Sequence, residues 1–209
     1  MNFHEVAIRG MTMPALAMLT SIACAAPVTV QVSDTSGQPL ADTVVYAEPA
    51  SGHLVPKSVR TAEIEQRGRK FSPLVTVVQT GTEISFPNND TVRHHVYSFS
   101  PAKIFDIKLY SGVPGKPILF DKPGTVVIGC NIHDQMVAYI QVVSTPYFAK
   151  TDATGKATLD GLVPGKYNLK AWHFNLPAGT RIPEQPLDFS GADTTATFRL
   201  NVKAGMAPN

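Results

Sequence analysis

Cysteine is almost missing from this 209-residue chain: there are two, and one tryptophan. Charged residues are also sparse at 16%, and Lys plus Arg exceed Asp plus Glu by only two. The basic residues are scattered, so no concentrated face invites nucleic acid or anionic lipid. No apolar run reaches the roughly 20 residues of a membrane span. Amphipathic helical patterns of useful length are lacking too. No Ser/His/Asp set, phosphate-cradling glycine loop or supported carboxylate pair is present, so the chain is read as a carrier or binder and not as an enzyme.

What is abundant is punctuation. Seventeen Pro and fifteen Gly interrupt a chain that is 44% hydrophobic, a globular balance without a collagen-like period. Residues 1–25 carry a weakly charged start ending at Arg9, an apolar run from Met11 to Ala23, and small residues around Cys24 before Pro27. This predicts a signal peptide and export to the periplasm. Ser21 stands where a lipobox wants a branched apolar residue, so plain export is preferred to lipid attachment at Cys24. Cleavage leaves Cys130 with no disulfide partner, a liability in an oxidising compartment unless it is buried or bound to metal.

Period-two alternation predicts half-buried strands: Val28, Val30 and Val32; Ile84 and Phe86; Phe105, Ile107 and Leu109; Ala138, Ile140 and Val142; Tyr167, Leu169 and Ala171; Phe198, Leu200 and Val202. Turn chemistry such as Asn88-Asn-Asp90 and Asp152-Ala-Thr-Gly155 separates them. The expected class is all-β, a sandwich or barrel. Thr61 to Arg67 fits a turn of helix or a polar strand equally well.

The chemistry concentrates after the apolar run Val126-Val-Ile128, in Cys130-Asn-Ile-His133-Asp-Gln-Met136. One thiolate, two imidazoles and a weak thioether form the ligand set of a blue-copper centre. This loop lacks one imidazole, which Phe86-Pro-Asn-Asn-Asp-Thr-Val-Arg-His94-His95 supplies. Alone, Cys130 is more often an inert core residue and Met136 a core filler. Four residue types at the offsets of one metal geometry shift that balance. Zinc is the other metal to weigh, but a thioether is a poor zinc ligand. Asp134 is expected to bond backbone amides of its loop. His53 and His173 are expected at the surface or at strand ends.

Together these two segments resemble the cupredoxins. Plastocyanin-type members have an F-x-N-N segment with the first copper histidine eight residues after the Phe, and counting from Phe86 gives His94. The Cys-x2-His-x2-Met spacing is similar to that of amicyanin. The resemblance implies a Greek-key sandwich over residues 55–145, one type 1 copper held by His94, Cys130, His133 and Met136, and single-electron transport. It also implies redox partners, a cytochrome c or a dehydrogenase, with amine (methylamine) oxidation as a suggested pathway. His133 would be the electron port, with Pro101, Val113, Pro114 and Val137 as candidate docking residues; a monomer is expected. The family's Asn after the first ligand is His95 here. Successive strand residues face opposite sides, so His94 is assigned inward and His95 outward. His95 leaves copper handling or delivery open as a second function. One cysteine excludes a binuclear centre, and the absence of His-x-His pairs excludes a three-copper cluster.

The flanks differ from the middle. Residues 28–47 and 150–172, with D-x-x-G-x-P-L, T-D-x-x-G and L-x-P-G-x-Y elements, resemble the halves of a carboxypeptidase-regulatory-like (transthyretin-like) β-sandwich. The stretch between Tyr46 and Thr151 is far longer than a hairpin connection. The expected domains are therefore 27–54 plus 146–204, interrupted by 55–145. Folding of the first strands directly into the middle domain is the competing arrangement, and an interaction module for protein or glycan is a third function.

Overall fold

A computed structural model describes residues 26–52 and 60–202, and the chain in them is all-β. The proposed signal segment and His53 lie outside the described residues. No helix among the described residues is long and apolar enough to cross a membrane.

Two apolar clusters organise the strands. In the first, β1 (Val28–Asp34) lies between β14 (Lys156–Leu159) and β17 (Thr194–Leu200). Facing it is a sheet of β13 (Phe148–Lys150), β2 (Val44–Pro49), β15 (Gly165–Trp172) and β16 (Glu184–Phe189). Val28, Val30 and Val32 alternate inward from β1 and meet Val45, Leu169 and Phe189, all at most 1% exposed. Gly155 closes a turn at φ +74 against this core, and its backbone carbonyl accepts from Val32 N–H at 2.8 Å.

The second cluster belongs to the middle of the chain. A five-stranded sheet runs β6 (Val75–Gln79), β12 (His133–Val143), β11 (Gly124–Cys130), β8 (His94–Ser100) and β9 (Lys103–Tyr110). A smaller sheet of β10 (Ile118–Phe120), β7 (Thr82–Ser85) and β3 (Arg60–Glu63) and a hairpin of β4 (Glu65–Arg67) and β5 (Lys70–Ser72) accompany it. Thr61 to Arg67 is thus polar strand and not helix. Phe86, Val96, Ile128, Ala138 and Ile140 fill the interior at 0% exposure. A third cluster, with Val44, Tyr46, Val75, Val143 and Trp172 buried, joins β2 and β15 to β6 and β12.

Two register shifts bear on the site. Between β8 and β9, His94 pairs with Tyr110 while Val96 pairs with Ile107, so β9 holds one extra residue. A bulge residue reverses the alternation beyond it. Leu109, expected inward after Phe105 and Ile107, is therefore 46% exposed, and Tyr110 packs against the core instead. Between β11 and β12, Gly129 pairs with Val137 but Cys130 pairs with His133. Of the three residues left unmatched there, Asp134 and Gln135 are exposed and Met136 is buried.

Candidate metal centre

Cys130 ends β11 on the buried side, continuing the inward set of Val126 and Ile128, and is 3% exposed. His94 begins β8 on the same interior face at 0% exposure. The second register shift folds His133 back over Cys130, where it is half-buried. The Cys130 Sγ lies 3.8 Å from His94 Nδ1 and 3.9 Å from His133 Nδ1. The two imidazole rings meet edge to face with centroids 5.1 Å apart. All three donor atoms fall within 4.8 Å of one another.

Those separations test whether a metal fits. With metal–sulfur and metal–nitrogen bonds of about 2.3 and 2.0–2.1 Å, sulfur and nitrogen stand about 3.7–3.8 Å apart at 120° and about 3.5–3.6 Å apart at the tetrahedral angle. The observed pairs match the trigonal arrangement. A trigonal His2Cys set is what a blue-copper site requires, so the cluster fits one. Met136, 1% exposed, packs in the same core cluster as Cys130.

The candidate ligand His94 is held from behind. Its Nε2 lies 3.0 Å from Asp90 Oδ2, which fixes the ring and directs Nδ1 to Cys130. The same carboxylate oxygen accepts from Arg69 N–H at 2.7 Å, and Oδ1 accepts from Thr91 N–H at 2.8 Å. The His94 hydrogen bond, then the two amides, hold the Asp90 carboxyl well below the usual carboxylate range. Asn88 ties the surrounding loops together: its Nδ2 donates to Tyr110 O at 2.7 Å and to Val92 O at 3.0 Å, and its Oδ1 accepts from Asp90 N–H at 3.0 Å. Tyr110 lies inward across from His94, with its hydroxyl donating to Phe86 O at 2.5 Å and accepting from Gln66 Nε2. Burial first, and the charge of Cys130 as well, push its phenol up to about 12.

The sequence reading needs correction at several residues. His95 does turn away from the cluster, but it is not exposed: at 8% it pairs with Asp106 and rests edge-on against Tyr97. It does not belong to the donor cluster. Pro101 is not near the site, because β8 runs away from His94 and Pro101 lines a separate groove with Tyr139, Trp172 and Phe174. Val113 is 71% exposed beyond the Asn88–Gly112 bridge, Pro114 follows it half-buried, and half-buried Val137 pairs with Gly129. Asp134 is exposed and makes no side-chain hydrogen bond among the described residues. His173 follows a strand end as expected but is 3% exposed and stacked on Phe174. Sequence reasoning missed Asp90, Tyr110 and Gln66. Only Asp90 left a signal, a carboxylate four residues before the candidate ligand His94.

No protein-family model and no curated protein matches the chain. Its structural neighbours are cupredoxins. A purple cupredoxin from Nitrosopumilus maritimus is 22% identical over 39% of this chain and 99% of its own, with a TM-score of 0.36. An amicyanin variant in the reduced state is 16% identical over 47% and 99%, with a TM-score of 0.35. A copper-containing nitrite reductase from Thermus scotoductus SA-01 is 23% identical over 56% of this chain and 28% of its own, with a TM-score of 0.38. These likenesses cover part of the chain, and the chemistry of the site follows from its own atoms.

Proposed function

We propose that this chain is a mononuclear type 1 copper protein that carries single electrons in the periplasm. The observation that carries the reading is the Cys130 sulfur with an imidazole Nδ1 on either side at 3.8 and 3.9 Å. His94, Cys130 and His133 would hold the metal, with Met136 as the weak fourth ligand. Copper bound there supplies a one-electron couple.

The protein's part is to keep the ligands still. Asp90 fixes the His94 ring, the paired ends of β11 and β12 fix Cys130 and His133, and the closed apolar core behind them excludes water. Rigid donors keep the structural change between oxidation states small. His133, the half-exposed member of the set, is the route to a partner. That partner would be a cytochrome c or a dehydrogenase, with amine oxidation the pathway suggested by the loop spacing. Two domains, 27–54 plus 146–204 around 55–145, belong to the same proposal, supported by the separate apolar clusters of the flanks and the middle. Copper delivery, the second reading, draws on His95 together with the appended sandwich; the engagement of His95 with Asp106 weakens the first of these supports.

Titration of the protein with Cu(II), followed by visible absorption and electron paramagnetic resonance, tests the reading. An intense thiolate-to-copper band with narrow hyperfine splitting, lost in Cys130→Ala and kept in His95→Ala, is the expected result. A weak ordinary Cu(II) spectrum that survives Cys130→Ala overturns it.

A further inference from the structure

We propose that the tip of the β4–β5 hairpin, Gly68-Arg69-Lys70, is the docking element for an acidic protein surface at the metal centre. This rests on the electron-carrier reading for its purpose but not for its geometry. Gly68, Arg69 and Lys70 line one wall of a 340 Å³ open cavity, and His133, Asp134, Gln135 and Met136 line the other. A partner that reaches His133 therefore meets Arg69 and Lys70.

Three observations give the surface its sign and its rigidity. Arg69 and Lys70 are exposed, and neither is in an ion pair among the described residues. The cavity wall carries two cations, Arg69 and Lys70, against one anion, Asp134, although the whole chain is only +2, and the Asp90 carboxylate lies behind the tip with its side chain only 12% exposed. Arg69 also sits at φ +58 directly after Gly68 at φ +60, a turn in which Asn or Gly would be easier. An arginine kept in that conformation puts a cation at the hairpin tip at a conformational cost. Finally, Asp90 Oδ2 accepts both from the Arg69 amide and from His94. One oxygen thus locks the docking tip to a metal ligand, so that an encounter at the tip has a fixed position relative to the site. Exposed Val113 and Ile132, at 71% and 48%, add apolar area on loops at the same end.

The test has two arms on the full chain as isolated and reduced. In the first, poly-L-glutamate is titrated into 15N-labelled protein; amide shifts are expected at 68–70 and 131–136, lost in Arg69→Asn/Lys70→Gln and kept in Lys166→Glu on the flanking sandwich. Asn suits the left-handed position, so the turn is preserved. Shifts centred elsewhere, or unchanged in the double variant, overturn the proposal. In the second arm, one electron passes from the Cu(I) protein to hexacyanoferrate(III) or to tris(phenanthroline)cobalt(III). At low ionic strength the anionic oxidant should slow by about fivefold in the double variant, and the cationic one should not slow. Equal effects on both oxidants overturn the proposal. A protein that takes up no copper sinks the electron-carrier reading and leaves the polyglutamate arm to decide the surface.

Discussion

Substituting Gly155 with alanine separates the stability of the flanking sandwich from that of the candidate metal centre. A Cβ at Gly155 would stand 2.3 Å from Val32 O, where an ordinary carbon–oxygen contact is about 3.3–3.6 Å. The φ of +74 adds a left-handed penalty of about 1–2 kcal/mol for any residue with a Cβ. Neither group can retreat freely: Val32 O accepts from Leu40 N–H at 3.1 Å, and Val32 N–H donates to Gly155 O at 2.8 Å. Opening either bond costs about 1 kcal/mol more, and the displaced β1 loses packing, for a total of about 3–5 kcal/mol. With a urea slope of about 2 kcal/mol/M, the midpoint falls by about 2 M. Trp172, the sole tryptophan, reports the transition from the cluster that joins the two halves. Gly37→Ala is the control, since Gly37 has φ +87 but open space where its Cβ would go, leaving only the conformational penalty. A Gly155→Ala midpoint equal to that of Gly37→Ala would refute the reasoning. The metal-site spectrum in dilute buffer should be the same in both variants.

Truncating Phe86, 0% exposed and stacked on Phe105 at 5.6 Å, to alanine should cost about 3–5 kcal/mol in denaturant unfolding of the core that carries the donor cluster; a loss below 1 kcal/mol would mean that the site does not rest on that core. Met136→Leu conserves volume and should change stability by less than about 1.5 kcal/mol. Removing a sulfur donor disfavours Cu(II), so its voltammetric midpoint should rise while the visible band persists, and an unmoved midpoint would make Met136 core filling only. Burial lowers the pKa of His173 from its ordinary 6.5. Its neutral form is favoured by folding, so its contribution to stability is complete above about pH 6.5 and is lost as pH falls through the folded value. His173→Gln should flatten unfolding free energy between pH 7 and 5; an unaltered slope would assign the dependence to another group.

Where one face of a strand is buried without interruption, the alternation in the sequence reads directly: Val28, Val30 and Val32 in β1, and Ala138, Ile140 and Val142 in β12, all turn inward. It fails at Leu109 because an extra residue in β9 shifts the register against β8, and no local pattern marks that bulge. The donor cluster was legible because Cys130 and His133 share one loop and His94 follows a countable segment. Its supports were not. Asp90 becomes a clamp only when β4–β5 folds over it and the Arg69 amide reaches its carboxylate. Pro101 was misplaced because spacing along a sequence does not tell which end of a strand the site occupies. His95 pointed as expected but was buried: Tyr97, two residues on along β8, lies on the same face, and Asp106 comes from β9 through a register pair that exists only in the folded sheet.

The spacing of the loop residues itself demands the irregularity at Cys130. His133 and Met136 are three apart, so in a regular strand they would face opposite sides. Met136 continues the inward set of Ala138, Ile140 and Val142, which would send His133 outward, away from the thiol. The break between the Gly129–Val137 and Cys130–His133 pairs leaves residues 134–136 unmatched on β12. That odd number of extra residues reverses the alternation and brings His133 Nδ1 to 3.9 Å from Cys130 Sγ. Deleting the exposed Gln135 makes the excess even. The buried half of β12, paired with β6 and β11 beyond Val137, should keep its register. His133 should then swing off the cluster while Cys130 and His94 remain. The deletion is therefore expected to leave the unfolding transition nearly in place and to abolish the intense thiolate-to-copper band. A deletion variant that keeps the band would show that His133 reaches the site by loop flexibility, and the bulge would have no role in building it.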